Sequence, residues 1–259
     1  MECKPLNGNG EQERPPATKL KPADFPLGSP QSRAAARAML QARKAQDVRD
    51  KIWERCGQNI ASFEAGPLLW LTEYTYTEDT HWLKKGTNPI ARFPKKDFFV
   101  DVADKMLKDD LLFIPKSREM MTSWLSCGYI SWMTQWFPKI QWVMQTEKED
   151  KVIELVNYCR ILYLRQDDWM QERNPLIVDN TTHLKRANGS EIIGVPKGAN
   201  QFRLYHPYGV MFDEAAFLPE FMAAYSTVKP VAKRILAVSS AAPGAFADEC
   251  EQVGDGEIG

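Results

Sequence analysis

The stretch D110-LLFIP-KSREMMTS-WLSCGYISWMTQW-136 decides how the chain is read. An apolar run, Leu111–Ile114, is cut by Pro115, and a compact polar turn follows from Lys116 to Ser123. Apolar residues then recur at helical spacing: Trp124, Leu125, Tyr129, Trp132, Met133 and Trp136. Strand, tight loop and helix is the layout of a phosphate-binding loop, where the free amides of a helix N-terminus face an anion. The usual pattern, G-x-x-x-x-G-K-[ST], is not matched. Only its final hydroxyl is present, as Ser123, and the lysine position holds Thr122. An ordinary strand-to-helix turn with a few charges fits the loop as well.

A second stretch shifts the balance. Tyr208-Gly-Val-Met-Phe-Asp-Glu-Ala-Ala-Phe217 is an apolar strand ending in two adjacent carboxylates, Asp213 and Glu214. Phosphoryl-transfer ATPases need one carboxylate at a strand end for Mg²⁺, and commonly a neighbour that orients the attacking water. A buried strand with a solvated acidic end is the plain alternative. A third stretch, Arg234-Ile-Leu-Ala-Val-Ser-Ser-Ala-Ala-Pro-Gly244, is another apolar strand, ending in Ser239 and Ser240. Alone, it is a strand followed by a turn.

Together, S-R-E-M-M-T-S in the loop, the strand-terminal F-D-E-A and the strand ending V-S-S-A resemble the ATPase domain of the large terminase subunit of tailed bacteriophages. That family carries a deviant loop, commonly S-R-Q-x-G-K-[ST], or a version led by Lys-Ser-Arg with a late hydroxyl. The resemblance covers about residues 61–244. It implies an α/β fold with a mainly parallel sheet flanked by helices, of the P-loop NTPase (ASCE) type. It also implies ATP and Mg²⁺ as cofactors. Ser123 and Asp213 are then the metal ligands and Glu214 the residue that orients or deprotonates water. Arg118 meets charge on the γ-phosphate, and Lys116 stands in for the missing loop lysine. Ser117 and Thr122 complete the loop, and Ser239 and Ser240 sense the γ-phosphate from the neighbouring strand. Phe93, with Pro94, takes the place of the adenine clamp, although the glutamine usual there is missing.

The implied function is ATP hydrolysis that drives double-stranded viral DNA into a procapsid. The implied partners are that DNA, a small terminase subunit, a portal and further copies in a ring, with no membrane and a cytoplasmic location in the host. A related DNA translocase or helicase, and a non-hydrolysing scaffold that lost catalysis with its loop lysine and glycine, remain the alternatives.

The rest of the chain fits an ordinary α/β domain. It has 259 residues, 44% hydrophobic and 26% charged, enough to bury a core. The net charge of −1 excludes a globally basic nucleic-acid binder, so any DNA contact is local. Cys3, Cys56, Cys127, Cys159 and Cys250 are odd in number and form no C-x-x-C, which reads as reduced thiols. His81, His183 and His206 lack metal-ligand spacing. No apolar run is long enough to span a bilayer, and the N-terminus has no signal-peptide core.

Residues 1–30 are rich in Pro, Gly, Lys and Gln and are expected as a disordered arm. Residues 31–58 are expected as a basic helix opened by Ser29-Pro30. Its Arg33, Arg37, Arg43, Lys44, Arg49, Lys51 and Arg55 form either a DNA- or partner-facing stripe or a solvated face. The ATPase domain is expected over 59–245. Within it, Leu68–Thr77 reads as a strand or extended wrap, and a helix follows Phe98 to Leu107. Ile140–Gln145 is a strand, and Thr146 with Glu149 predicts a capping box for a helix to about Leu164. Thr182–Ile193 predicts a hairpin turning at Asn188-Gly189. In the loop before the acidic strand, Lys197 and Arg203 are placed to reach phosphates or DNA. Residues 246–259 are expected as a flexible acidic tail. With 19 residues after Ser240, no nuclease domain is expected in this chain, which reads as an ATPase fragment or one part of a split gene.

Overall fold

The computed structural model describes residues 29–78, 86, 88–117 and 120–254. Most of the expected N-terminal arm, residues 1–28, lies outside them, as do Arg118 and Glu119. The chain divides into two units at Ile52 and Trp53. The first is described by one helix, α1, which spans Pro30–Cys56 and so runs on into the second. Its start follows from Ser29, whose Oγ accepts a hydrogen bond from the Ser32 amide at 3.0 Å, with Pro30 at the first helical position.

The second unit continues with α2 (Gly66–Tyr74), β1 (Tyr76–Glu78), β2 (Ile90–Arg92), α3 (Phe98–Lys108), β3 (Leu111–Lys116) and α4 (Thr122–Trp136). Then come β4 (Gln141–Gln145), α5 (Glu149–Leu164), α6 (Asp168–Arg173), β5 (Leu176–Asn180), β6 (His183–Arg186) and β7 (Glu191–Val195). The last elements are β8 (Gly209–Asp213), α7 (Phe221–Val228), β9 (Arg234–Ser240) and α8 (Ala245–Gly254). Short 3₁₀ turns at Ala199–Leu204 and Ala215–Phe217 flank β8.

Seven strands form one sheet in the order β3-β9-β8-β4-β7-β6-β5. The first five are parallel, and β6 and β5 add an antiparallel edge. The central strands read as unbroken apolar runs because both faces are covered: all five residues of β8 are buried. On one face Phe113, Phe212, Phe221, Tyr225 and Phe246 pack into one aromatic cluster. α4 is buried nearly throughout, and at Gly128 it meets α2 so closely that an added Cβ would lie 2.7 Å from Leu71. Among the described residues no helix is long and apolar enough to cross a membrane.

Several expectations are corrected. Leu68–Thr77 is mostly helix, not strand: Gly66-Pro67 opens α2, Leu68–Leu71 are all buried, and only Tyr76–Glu78 is extended. Pro115 does not end the apolar strand. β3 continues to Lys116 because it is the sheet's edge, paired among the described residues only with β9, where a missing amide is tolerated. The capping box at Thr146 does not form, since α5 starts later, with Lys148 as N-cap and Glu149 and Asp150 in its first turn. Residues 246–254 are helical, not a solvated tail, and Phe246 is anchored in the core at 3% exposure. The hairpin forms between β6 and β7, with Gly189 at φ 87° and Asn188 Oδ1 accepting from the Ser190 amide.

Candidate functional site

β9 is the last of the described strands but lies between β3 and β8 in the sheet. Register aligns Lys116 with Ser240 and Asp213 with Val238, so all three motifs end together at the carboxyl edge of the parallel strands. In open α/β sheets this edge is where ligands bind.

Between β3 and α4 the loop is short. Met121, the N-cap of α4, is left-handed at φ 60°, ψ 21°. The usual phosphate loop has a glycine at this position, where positive φ costs little. Thr122, at the lysine position, is buried at 3% exposure. It opens the helix, so its amide and those of Ser123 and Trp124 have no intrahelical acceptor. Ser117 is exposed at the end of β3.

Ser123 faces β8. Its Oγ donates toward Asp213, at 3.0 Å from Oδ1 and 3.2 Å from Oδ2. Asp213 is only 8% exposed. Burial pushes its carboxyl up from the ordinary 3.8 to about 6, against the pull of Lys116 and the Ser123 hydroxyl. Glu214, the next residue, is left-handed at φ 51°. This turn swings its side chain to Lys116, whose Nζ lies 3.1 Å from Glu214 Oε1. Among the described residues only Lys139 is a third non-glycine with positive φ. Such strain persists where surrounding structure enforces it, commonly at ligand sites.

Ser239 is fully buried, and its Oγ accepts a hydrogen bond from the Ala216 amide at 3.0 Å. It therefore pins the turn that carries Glu214. The Ser240 amide lies 3.4 Å from Glu214 Oε2. Phe93 is placed elsewhere. At 1% exposure it packs on Phe99 with ring centroids 5.7 Å apart, so its ring belongs to the core, not to an adenine clamp. Arg118 lies outside the described residues.

A cavity of about 290 Å³ opens beside Ser123, Asp213 and Glu214. Its opposite wall comes from α5 and the residues before it, including Thr146, Lys151, Glu154 and Tyr158. Sequence reasoning misses this wall. β4 pairs directly with β8, so the chain leaving β4 passes Asp213, but only the strand order reveals it. Tyr158 stacks on Trp124 at 4.0 Å and donates to Glu154 Oε1 at 2.7 Å, and Lys151 pairs with Glu154 Oε2 at 2.7 Å. Burial opposes ionisation of Glu154, but the bonds from Lys151 and Tyr158 outweigh it and hold the carboxyl below its usual range. Lys197 lines a different cavity with Gln145 and Glu220.

The donor set suits a small hard cation. Ser123 and Asp213 offer oxygen ligands, and the buried carboxylate carries charge that its neighbours only partly offset. Among the described residues no three His, Cys, Asp or Glu groups converge. Mg²⁺ is typically held by one or two carboxylates together with phosphates and water.

No family model matches the sequence, and no curated protein matches it. Solved structures do match, among them large terminases of phages and a terminase ATPase domain. The large terminase of bacteriophage HK97 superposes with a TM-score of 0.53 at 13% identity, covering 73% of this chain and 41% of that one. The large terminase ATPase domain of Thermus phage P74-26 gives 0.45 at 15% identity, covering 67% and 73%. The large terminase of a thermophilic bacteriophage, in complex with ADP, gives 0.37 at 14% identity, covering 52% and 34%. The chain thus shares a mainly parallel, helix-flanked fold with the matched part of the HK97 large terminase and spans under half of that protein.

Proposed function

We propose that the chain hydrolyses ATP as the motor domain of a phage DNA-packaging terminase, acting on double-stranded DNA. The observation that carries this reading is the Ser123–Asp213 contact at 3.0 Å. It joins the first turn of the loop helix to the end of the acidic strand, as a nucleotide-bound cation requires. When bound, Mg²⁺ would neutralise phosphate charge between Ser123 and Asp213.

The chain's own residues divide the remaining work. The free amides at the start of α4 would face the phosphates. Lys116, at the end of β3, supplies the positive charge that Thr122 lacks. Glu214 takes a proton from the attacking water or orients it. Arg118, from the resemblance, meets charge that develops in transfer. Ser239, through Ala216, ties the position of Glu214 to β9, and the Ser240 amide adds a contact to its carboxylate. A ring of copies, a small subunit and a portal are the partners this role calls for.

The test is ATP turnover by the purified chain, with and without duplex DNA. Turnover that rises with DNA supports the motor. Nucleotide binding without turnover would instead favour a scaffold, and no nucleotide binding would end the ATPase reading.

A further inference from the structure

α1 carries a feature that the candidate site does not use. Between Pro30 and Ile52 there are six Lys or Arg against two Asp, a net +4 in a chain whose total is −1. At about 100° per residue, Arg33, Arg37, Lys44 and Lys51 fall within about 40° of one another around the helix axis. At about 1.5 Å rise per residue they run along about 27 Å of it. All four are exposed, and none of their side chains has a hydrogen bond or ion pair among the described residues.

Every residue from Ala38 to Arg49 is exposed as well. Helices in proteins gain most of their stability by packing an apolar face. This segment packs none, so its helicity rests on the propensity of its alanines and long polar side chains. Beside exposed Met39, Leu40 and Val48, it presents a row of four cations, Arg33, Arg37, Lys44 and Lys51.

Resting on the motor reading above, we propose that this row lies along the phosphate backbone of the double-stranded DNA. The duplex carries one negative charge per about 1.7 Å of axis, and Lys or Arg contacts to it fix position without reading sequence. The intervals of about 6 Å and 10.5 Å between successive cations let each meet its own phosphate from one side. Pro30–Ile52 contains no aromatic residue, and its net +4 complements a polyanion.

The test is binding of the full chain to a fluorescent DNA duplex of arbitrary sequence, titrated with salt. The comparison is a variant with Arg33, Arg37, Lys44 and Lys51 all changed to Gln, a good helix former, with helicity checked by circular dichroism. Each phosphate contact contributes about 0.9 to the slope of log K against log salt, so the slope should become shallower by about 3 to 4. Affinity at about 50 mM salt should fall about 100-fold or more. Exchange of both arginines for Lys should keep the wild-type slope, and ATP turnover without DNA should not change in any variant. An unchanged slope in the Gln variant overturns the stripe while leaving the motor reading standing. Wild-type chain that binds no duplex, or that binds only an acidic protein, overturns the stripe and the DNA part of that reading together, although ATP turnover would survive.

Discussion

Lys116 Nζ and Glu214 Oε1 lie 3.1 Å apart, reaching toward each other from the strands on either side of β9. On the proposed reading, each neutralises the other until nucleotide arrives. A phosphate then competes for Lys116 and leaves the Glu214 carboxylate to the water. Lys116→Ala should raise the Kd for ATP by about 10- to 100-fold, a loss of about 1.4 to 2.8 kcal/mol, with a smaller effect on kcat at saturation. Calorimetric Kd values and saturation kinetics measure the two separately. An unchanged Kd would remove Lys116 from the phosphate site.

On the proposed reading, Asp213 is held ready for a cation at a cost to stability. Its folded carboxyl titrates at about 6, above the ordinary 3.8, so the folded state holds this proton more tightly than the unfolded one. The group's contribution to stability therefore falls as pH rises from 3.8 through about 6 and stays low above it. Asp213→Asn should stabilise the nucleotide-free protein at pH 8 by up to about 3 kcal/mol, since each pKa unit is worth about 1.4 kcal/mol. The gain should vanish below the ordinary pKa, and turnover should be lost at every pH. Thermal melts of both proteins across this range check it. A variant no more stable than wild type at pH 8 would show that Asp213 is not strained by burial.

Much of the fold is legible in the sequence because its core strands are unbroken apolar runs. Leu111–Ile114, Tyr208–Asp213 and Arg234–Ser240 all read as parallel strands, and Asn188-Gly189 locates a hairpin. The strand at Leu176–Asn180 escapes such a reading, because its alternation is short and its residues are largely exposed. Leu68–Leu71 misleads because a helix buried on every side shows no helical period. At the site, Ser123, Asp213 and Glu214 are legible as motifs. The α5 wall is not, because Lys151, Glu154 and Tyr158 reach the cavity through strand order, which local sequence does not carry.

Met121 tests whether the deviant loop is strained. A non-glycine residue in the left-handed region costs about 1–2 kcal/mol. Met121→Gly relieves this but loosens the unfolded chain by about 0.4–1 kcal/mol, so stability should be unchanged or slightly higher. Met121→Ile, branched at Cβ, should cost more than about 1 kcal/mol. Urea denaturation midpoints compare the two. Equal losses for Gly and Ile would mean that the Met121 side chain, not its backbone, matters.

Ser239 tests the link from β9 to Glu214. Ser239→Ala leaves the Ala216 amide without its acceptor, at a cost of about 1–3 kcal/mol. Because the same turn sets Glu214, kcat should fall more than ATP affinity. Lower stability with kinetics unchanged would make Ser239 a structural residue alone.

The most direct test of the whole account is ATP turnover by Glu214→Gln beside the wild-type chain, with ATP binding measured in parallel. The substitution keeps the size of the side chain but removes the base. The account predicts wild-type turnover that falls by about 10²- to 10⁴-fold in the variant, while ATP still binds. Wild-type turnover in Glu214→Gln would contradict it.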